Sequence, residues 1–315
     1  MFFHKVTLGK NRNNTFNQLI ITKFKVIMMP SFSEIEEENN PKNTIIKYLK
    51  EYHENTNRNV ILYYSNFLTK DNDDVYIDSI DKNGFMTIIK DLDKTKGLDI
   101  ILHTPGGSID ATESLIDYLH AVFGDDIKAI IPQMAMSGGT MIACSCNEII
   151  MGKHSSLGPV DPQIIDVSAQ TVIEEYDLAK KEISEDPSLI PFWTMILDKY
   201  PTNFYFECKN TMEWSKNILE KSLKYSMFKD NDEETINHII HELISRGATK
   251  NHSQNLSAKK CEEIGLNITY LEEDEIIQDL VLSIHHACII YFNHENDNKI
   301  YINQNGTFLS LESEI

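Results

Sequence analysis

An α/β fold organised around a parallel sheet is predicted by three features of this sequence. Short apolar runs at 98–103, 127–132 and 148–151 alternate with segments of helical periodicity, the order that strand–helix–strand units produce. Runs such as Ala129-Ile130-Ile131 are apolar without alternation, as strands covered on both faces must be. Two glycine turns, Pro105-Gly106-Gly107 and Ser137-Gly138-Gly139, each follow a strand and open a helix. The 315 residues, 41% hydrophobic, suffice for one large domain with a sizeable core.

Taken in order, residues 1–28 are polar and read as an N-terminal extension, either unstructured or upstream of a start at Met28 or Met29. They lack the continuous apolar stretch of a signal peptide. The main domain is expected over 29–290. Within it, 43–52 has apolar residues at helical spacing (Ile45, Ile46, Leu49, Tyr52), and 60–64 is a β-type run. The acidic stretch 71–81 reads as a surface loop, and 84–92 as a helix. The strand 98–103 leads through the first glycine turn into a helix at 111–123, with Leu115, Ile116, Leu119 and Val122 on one face. The strand 127–132 leads through the second turn into the small, apolar segment 136–143, and 148–151 is a third strand. Helices follow at 169–183, 203–225 and 233–245. A short one at 257–264 is capped by Ser257 and ended by Gly265. The apolar helix 275–287 reads as a self-association element, and Asn305-Gly306 marks a hairpin at 300–311, taken as an appendage spanning 291–315.

Composition narrows the function. The formal net charge is -19, from 48 acidic against 29 basic residues. That leaves no basic footprint for nucleic acid and disfavours anionic membrane surfaces. No run of about twenty apolar residues suggests a transmembrane helix. The five cysteines are scattered and odd in number, which fits reduced, buried thiols in a cytoplasmic protein rather than a disulfide framework. Cys144-Ser145-Cys146 has no second pair to complete a zinc site, and no metal or other cofactor is expected.

The glycine turns carry the chemistry. Gly106 and Gly107 let the backbone bring N–H groups close to a ligand. Ser137, at the start of the next helical stretch, reads either as a simple N-cap or as a nucleophile presented beside the Gly138 N–H. Placing both turns at the carboxyl ends of neighbouring parallel strands favours the nucleophile, because α/β sheets bind ligands there.

The motifs ILHTPGG at 101–107, ATESLIDYL at 111–119, AMSGGTMIAC at 135–144 and MGKHSSLGPVDPQ at 151–163 resemble the serine dehydrogenase proteinase family. These are serine peptidases of the Clp/crotonase fold related to signal peptide peptidase A. NVILYYS at 59–65, DKNGFMT at 81–87 and LVLSIHHA at 280–287 extend the resemblance over residues 29 to 290. The resemblance implies a Clp/crotonase-type fold with C-terminal helices, Ser137 as nucleophile, and Gly106, Gly107 and Gly138 as the oxyanion hole. The wider superfamily more often has Ala at the position of Gly138. It also implies a homo-oligomer acting on peptides or unfolded chains.

The general base stays open. Clp proteases use a histidine where this chain has Asp161-Pro162-Gln163, and signal peptide peptidases use a lysine. Lys199 is preferred, following the apolar run 192–196. Lys180, Lys181, Lys153, His154, His252 and a neighbouring subunit are the alternatives. His103, Asp161 and Gln163 are candidates to line the substrate site, and His285-His286, facing apart on a helix, do not suit a metal. Two other readings remain: a crotonase-like acyl-CoA enzyme using the oxyanion hole without the serine, and a Clp-fold scaffold without activity.

Overall fold

The computed structural model describes residues 40–70, 72–165, 167–229, 232–249 and 255–312. The expected extension 1–28 and His252 lie outside them. A seven-stranded sheet has the order β10-β5-β3-β2-β1-β11-β12. Its strands are β1 (Asn59–Ser65), β2 (Leu98–His103), β3 (Ile127–Ile131), β5 (Glu148–Met151), β10 (Ile268–Tyr270), β11 (Asp297–Asn303) and β12 (Phe308–Glu312). The first five are mutually parallel. One row crosses them through Ile61, Ile100, Ala129, Ile149 and Ile268. Short β4 (Met134–Ala135), β6 (Ser156–Leu157) and β9 (Leu256–Ser257) form a second sheet, and β7 (Gln163–Ile164) with β8 (Val167–Ser168) a small hairpin.

Both faces of the main sheet are covered, which is why its strands read as continuous apolar runs. On one face, Ile61, Tyr63, Ile100, Leu102 and Ala129 pack against helices α2 (Asp81–Ile89), α3 (Ile109–Phe123) and α4 (Gly138–Cys144). Further along the chain lie α5 (Ala169–Glu185), α6 (Ile190–Leu197), α7 (Phe204–Tyr225), α8 (Glu233–Thr249) and α9 (Ala258–Glu263). On the opposite face, Val60, Leu62, Ile101 and Ile130 meet α1 (Pro41–Thr56) and α10 (Glu275–His294). At the amino ends of the strands, buried Asp99 is held by Arg58 Nε at 2.6 Å and by the Tyr52 hydroxyl at 2.8 Å.

Three expectations change. The C-terminal hairpin turns at Asn305-Gly306 as expected, with Gly306 at φ 83°. It is no appendage: β11 pairs antiparallel with β1, so Ile300 and Ile302 stand in the core, and a boundary at 290 does not divide the fold. The helix expected to self-associate is also consumed within the fold. Among the described residues α10 is the one helix long and apolar enough to cross a membrane, yet Val281, Ile284, Ala287 and Cys288 are buried in the face that meets α1. Finally, 71–81 is not a plain surface loop, because Val75, Ile77 and Asp81 are buried. Exposed apolar surface collects instead on α6 and the start of α7, where Phe192, Met195 and Phe206 are 49%, 65% and 64% accessible. All five cysteines are buried and none forms a disulfide.

Candidate active site

The two glycine turns are stitched to each other. Thr104, just past β2, donates its N–H to Met134 O at 3.3 Å and accepts from Met136 N–H at 2.9 Å. Gly106, at φ 92°, is pressed against the second turn. A Cβ there would stand 2.6 Å from Met136 O and 2.7 Å from Ser137 Cβ. Only glycine permits that approach in that conformation. The far side is fixed by Thr140, whose buried hydroxyl lies 3.0 Å from Ala135 O and 2.8 Å from Gly158 O and shares its one hydrogen between them.

Ser137 has φ 47° and ψ -110°, a backbone region that side-chain-bearing residues rarely occupy. It precedes α4 but makes no side-chain capping bond, so the simple N-cap reading fails and the hydroxyl is left for other use. Strain at a serine on a sharp strand-to-helix turn is how a nucleophile is presented clear of its own backbone. Of the three glycines expected to form the oxyanion hole, Gly106 donates its N–H to Thr104 Oγ1 at 3.2 Å and is committed there. The Gly107 and Gly138 N–H groups remain. They belong to one locus: a Cβ built on Gly138 would lie 3.4 Å from Gly107 N, and one built on Gly106 2.8 Å from Gly138 N.

Ser137, Gly107 and Gly138 line a cavity of about 570 Å³. Asp161 and Gln163 line it too, as expected, with Tyr76, Met141 and Trp214 as apolar or aromatic wall. Asp161 Oδ1 accepts from Ser168 Oγ at 2.7 Å, and Ser168 in turn caps α5 by accepting from Thr171 N–H. Asp161 thereby ties the cavity rim to the helix behind it. Trp214, whose Nε1 donates to Glu113 Oε2 at 2.8 Å, reads from the sequence as a core or interface residue, and its place at the cavity was hidden because it sits far down the chain on α7.

Other candidates fall elsewhere. His103 is buried behind the oxyanion turn, its Nδ1 3.2 Å from Ser65 O and its Nε2 3.2 Å from Gln133 Oε1, with its ring stacked 4.1 Å from Tyr64. It lines a separate cavity of about 140 Å³ and not the Ser137 cavity, so it is not a substrate-site residue. Burial lowers its pKa to about 4. The period of two along β2 carries the reason: His103 shares a face with Ile101, opposite Ile100 and Leu102. Lys199 is exposed just past α6 and does not line the Ser137 cavity. Lys180, Lys181 and Lys153 are exposed and outside it as well. His154 Nε2 lies 2.9 Å from Pro132 O. Among the described residues, no histidine, lysine or arginine lines the cavity.

Two uncharacterized proteins of Methanocaldococcus jannaschii are similar in sequence. MJ0137 is 34% identical over 110 residues, 35% of this chain and 38% of that protein. MJ1495 is 32% identical over 178 residues, 54% of this chain and 51% of that protein. The chain therefore spans about half or less of the curated relatives it matches. Residues 20–281 match the family of ClpP-like SDH-type serine proteinases, which covers the five parallel strands, both glycine turns and the residues lining the cavity, and the chain belongs to that family.

Proposed function

We propose that this chain is a serine peptidase that cleaves peptide bonds through an acyl-enzyme on Ser137. Ser137 Oγ attacks the scissile carbonyl carbon while its proton passes to a base. The carbonyl oxygen, now carrying the developing charge, accepts from the Gly107 and Gly138 N–H groups. Collapse expels the amine, which takes that proton from the base, and water, deprotonated by the same base, attacks the acyl-enzyme to release the acid and restore Ser137. No metal or nucleotide enters these steps. The observation that carries the reading is the strained Ser137, with its hydroxyl uncommitted as a cap, opening into the cavity beside those two N–H groups.

The base we assign to a lysine of a second copy, with Lys199 as the residue. Two facts support this. Among the described residues no basic side chain lines the cavity, and Lys199 follows a helix whose exposed Phe192 and Met195 suit a covered interface. The substrate is a peptide or an unfolded segment of chain.

Labelling by a fluorophosphonate probe tests the nucleophile: the wild type reacts at Ser137, and Ser137→Ala loses at least about 10³-fold in labelling rate. Labelling retained in that variant sinks the assignment. A wild type that never labels would favour the scaffold reading, which the absence of a cavity base also motivates. Mixing tests the base. Ser137→Ala and Lys199→Ala are each inactive, and mixed dissociated subunits recover activity only if serine and lysine come from different copies.

A further inference from the structure

We propose that Lys299, on the C-terminal hairpin, is a positioning residue for the oxyanion hole, acting through the segment Tyr76–Asp81. This rests on the assignment of Gly107 and Gly138 as oxyanion donors. Lys299 is fully buried on β11. Its ammonium donates to Tyr76 O at 2.9 Å and meets both carboxylate oxygens of Asp81, at 3.0 and 3.2 Å, with Asp78 Oδ2 at 3.7 Å. Asp81 also accepts from the Tyr301 hydroxyl and from Asp78 N–H, the latter at 2.6 Å. The segment is thus clamped at both ends, and Ile77 lies between them.

Ile77 is the link to the site. Its N–H donates to Gly106 O at 2.7 Å, and its carbonyl accepts from Ser108 N–H at 2.8 Å. Those two bonds bracket Gly107, which pairs with Ile77 as an added parallel strand and whose missing Cβ leaves room for the Ile77 backbone. The orientation of the Gly107 N–H is therefore set by Ile77, and the position of Ile77 by Lys299. Gly84 on α2 completes the support. A Cβ there would stand 2.6 Å from the Tyr301 ring, so only glycine lets Tyr301 reach Asp81.

A buried ion pair is a poor source of stability, since apolar residues of similar size replace such pairs at little or no net cost. What this one provides is fixed geometry in a segment that would otherwise be an exposed acidic loop. A second ion pair, partly buried Arg58 with buried Asp99 at 2.6 Å, stands at the amino ends of β1 and β2 and lines no part of the cavity. It supplies a control.

The test is the kinetics of fluorophosphonate labelling of Ser137, resolved into probe affinity and maximal rate. Lys299→Met and the double variant Lys299→Met/Asp81→Asn, which removes both charges, are compared with Arg58→Met well below each melting temperature. Both Lys299 variants should lose about tenfold or more in maximal rate with probe affinity within about threefold, as expected when an oxyanion donor is misplaced. Arg58→Met should melt earlier with its maximal rate within about twofold of wild type. An unchanged maximal rate in a folded Lys299 variant overturns the inference, as does an equal loss in Arg58→Met. Failure of both Lys299 variants to fold also overturns it, because the residue would then have no role separable from folding. Labelling that survives Ser137→Ala would instead overturn the nucleophile, whatever the Lys299 variants do.

Discussion

At Ser137 the backbone holds a conformation that costs about 1–3 kcal/mol, and its neighbours explain how it is held. Gly106 presses from one side, Thr140 ties the turn to Gly158, and Gly138 packs under Thr112. Gly138 is the more informative glycine. Its N–H alone would tolerate the alanine common in the wider superfamily, but a Cβ would meet Thr112 Oγ1 at 2.6 Å. That hydroxyl is fixed by donating to Ser108 O at 2.7 Å. Glycine is thus dictated here by the threonine on α3. Gly138→Ala should destabilise the protein by about 1–3 kcal/mol through overpacking and slow Ser137 labelling. Adding Thr112→Ala should recover at least about 0.5 kcal/mol of that loss beyond additivity. Thermal melts and labelling rates of the four proteins in this cycle check it, and strict additivity would show that the two side chains do not compete.

At the scale of elements, what could be read in the sequence divides by the range of the interaction that sets it. The strands 98–103, 127–131 and 148–151 and the turn at Asn305-Gly306 are local: apolar runs and turn chemistry specify them, and they stand where expected. The meeting of Ser137 with the Gly106-Gly107 turn was legible because glycine turns at the ends of neighbouring parallel strands come together. Long-range pairings were not. That β11 joins β1, some 240 positions earlier in the chain, is set by register and not by composition. Lys299 lies in an alternating DNKIYIN segment and reads as an outward lysine until Asp81 is found beneath it. The role expected of the apolar helix failed for a related reason. An apolar helix looks the same whether it packs on a partner or on its own sheet, and α10 packs on the sheet. We propose that the exposed Phe192, Met195 and Phe206 provide an association surface instead. Phe192→Asp with Phe206→Asp should shift the sedimenting species toward monomer and lower labelling of Ser137, with the melting temperature little changed, because both side chains are about half or more exposed. An unchanged sedimentation coefficient would place the interface elsewhere.

Across the whole molecule, the sheet separates the Ser137 cavity from a histidine cluster on its other face, and the segment His103-Thr104-Pro105 reaches both. His103 and His285 are held neutral there, with centroids 5.9 Å apart, and His285 Nδ1 lies 2.9 Å from the Tyr64 hydroxyl. Burial is the main cause of their lowered pKa values, about 4 and about 3, and neighbouring His103, His286 and His154 push that of His285 further down. No carboxylate is among the groups acting on either ring. In the unfolded chain both rings titrate near about 6.5. Between that value and their folded values the unfolded state binds more protons, so stability falls as the pH drops. Each ring contributes up to about 1.4 kcal/mol per pH unit in that window. Asp81 and Asp99 act oppositely, since burial raises their pKa values, and they offset part of the histidine effect. Unfolding by denaturant should show a loss of about 1–3 kcal/mol between about pH 7 and pH 5. His285→Asn, which can still bond to the Tyr64 hydroxyl, should lose roughly half that pH dependence. An unchanged slope in the variant would mean that these rings are not what makes the fold sensitive to acid.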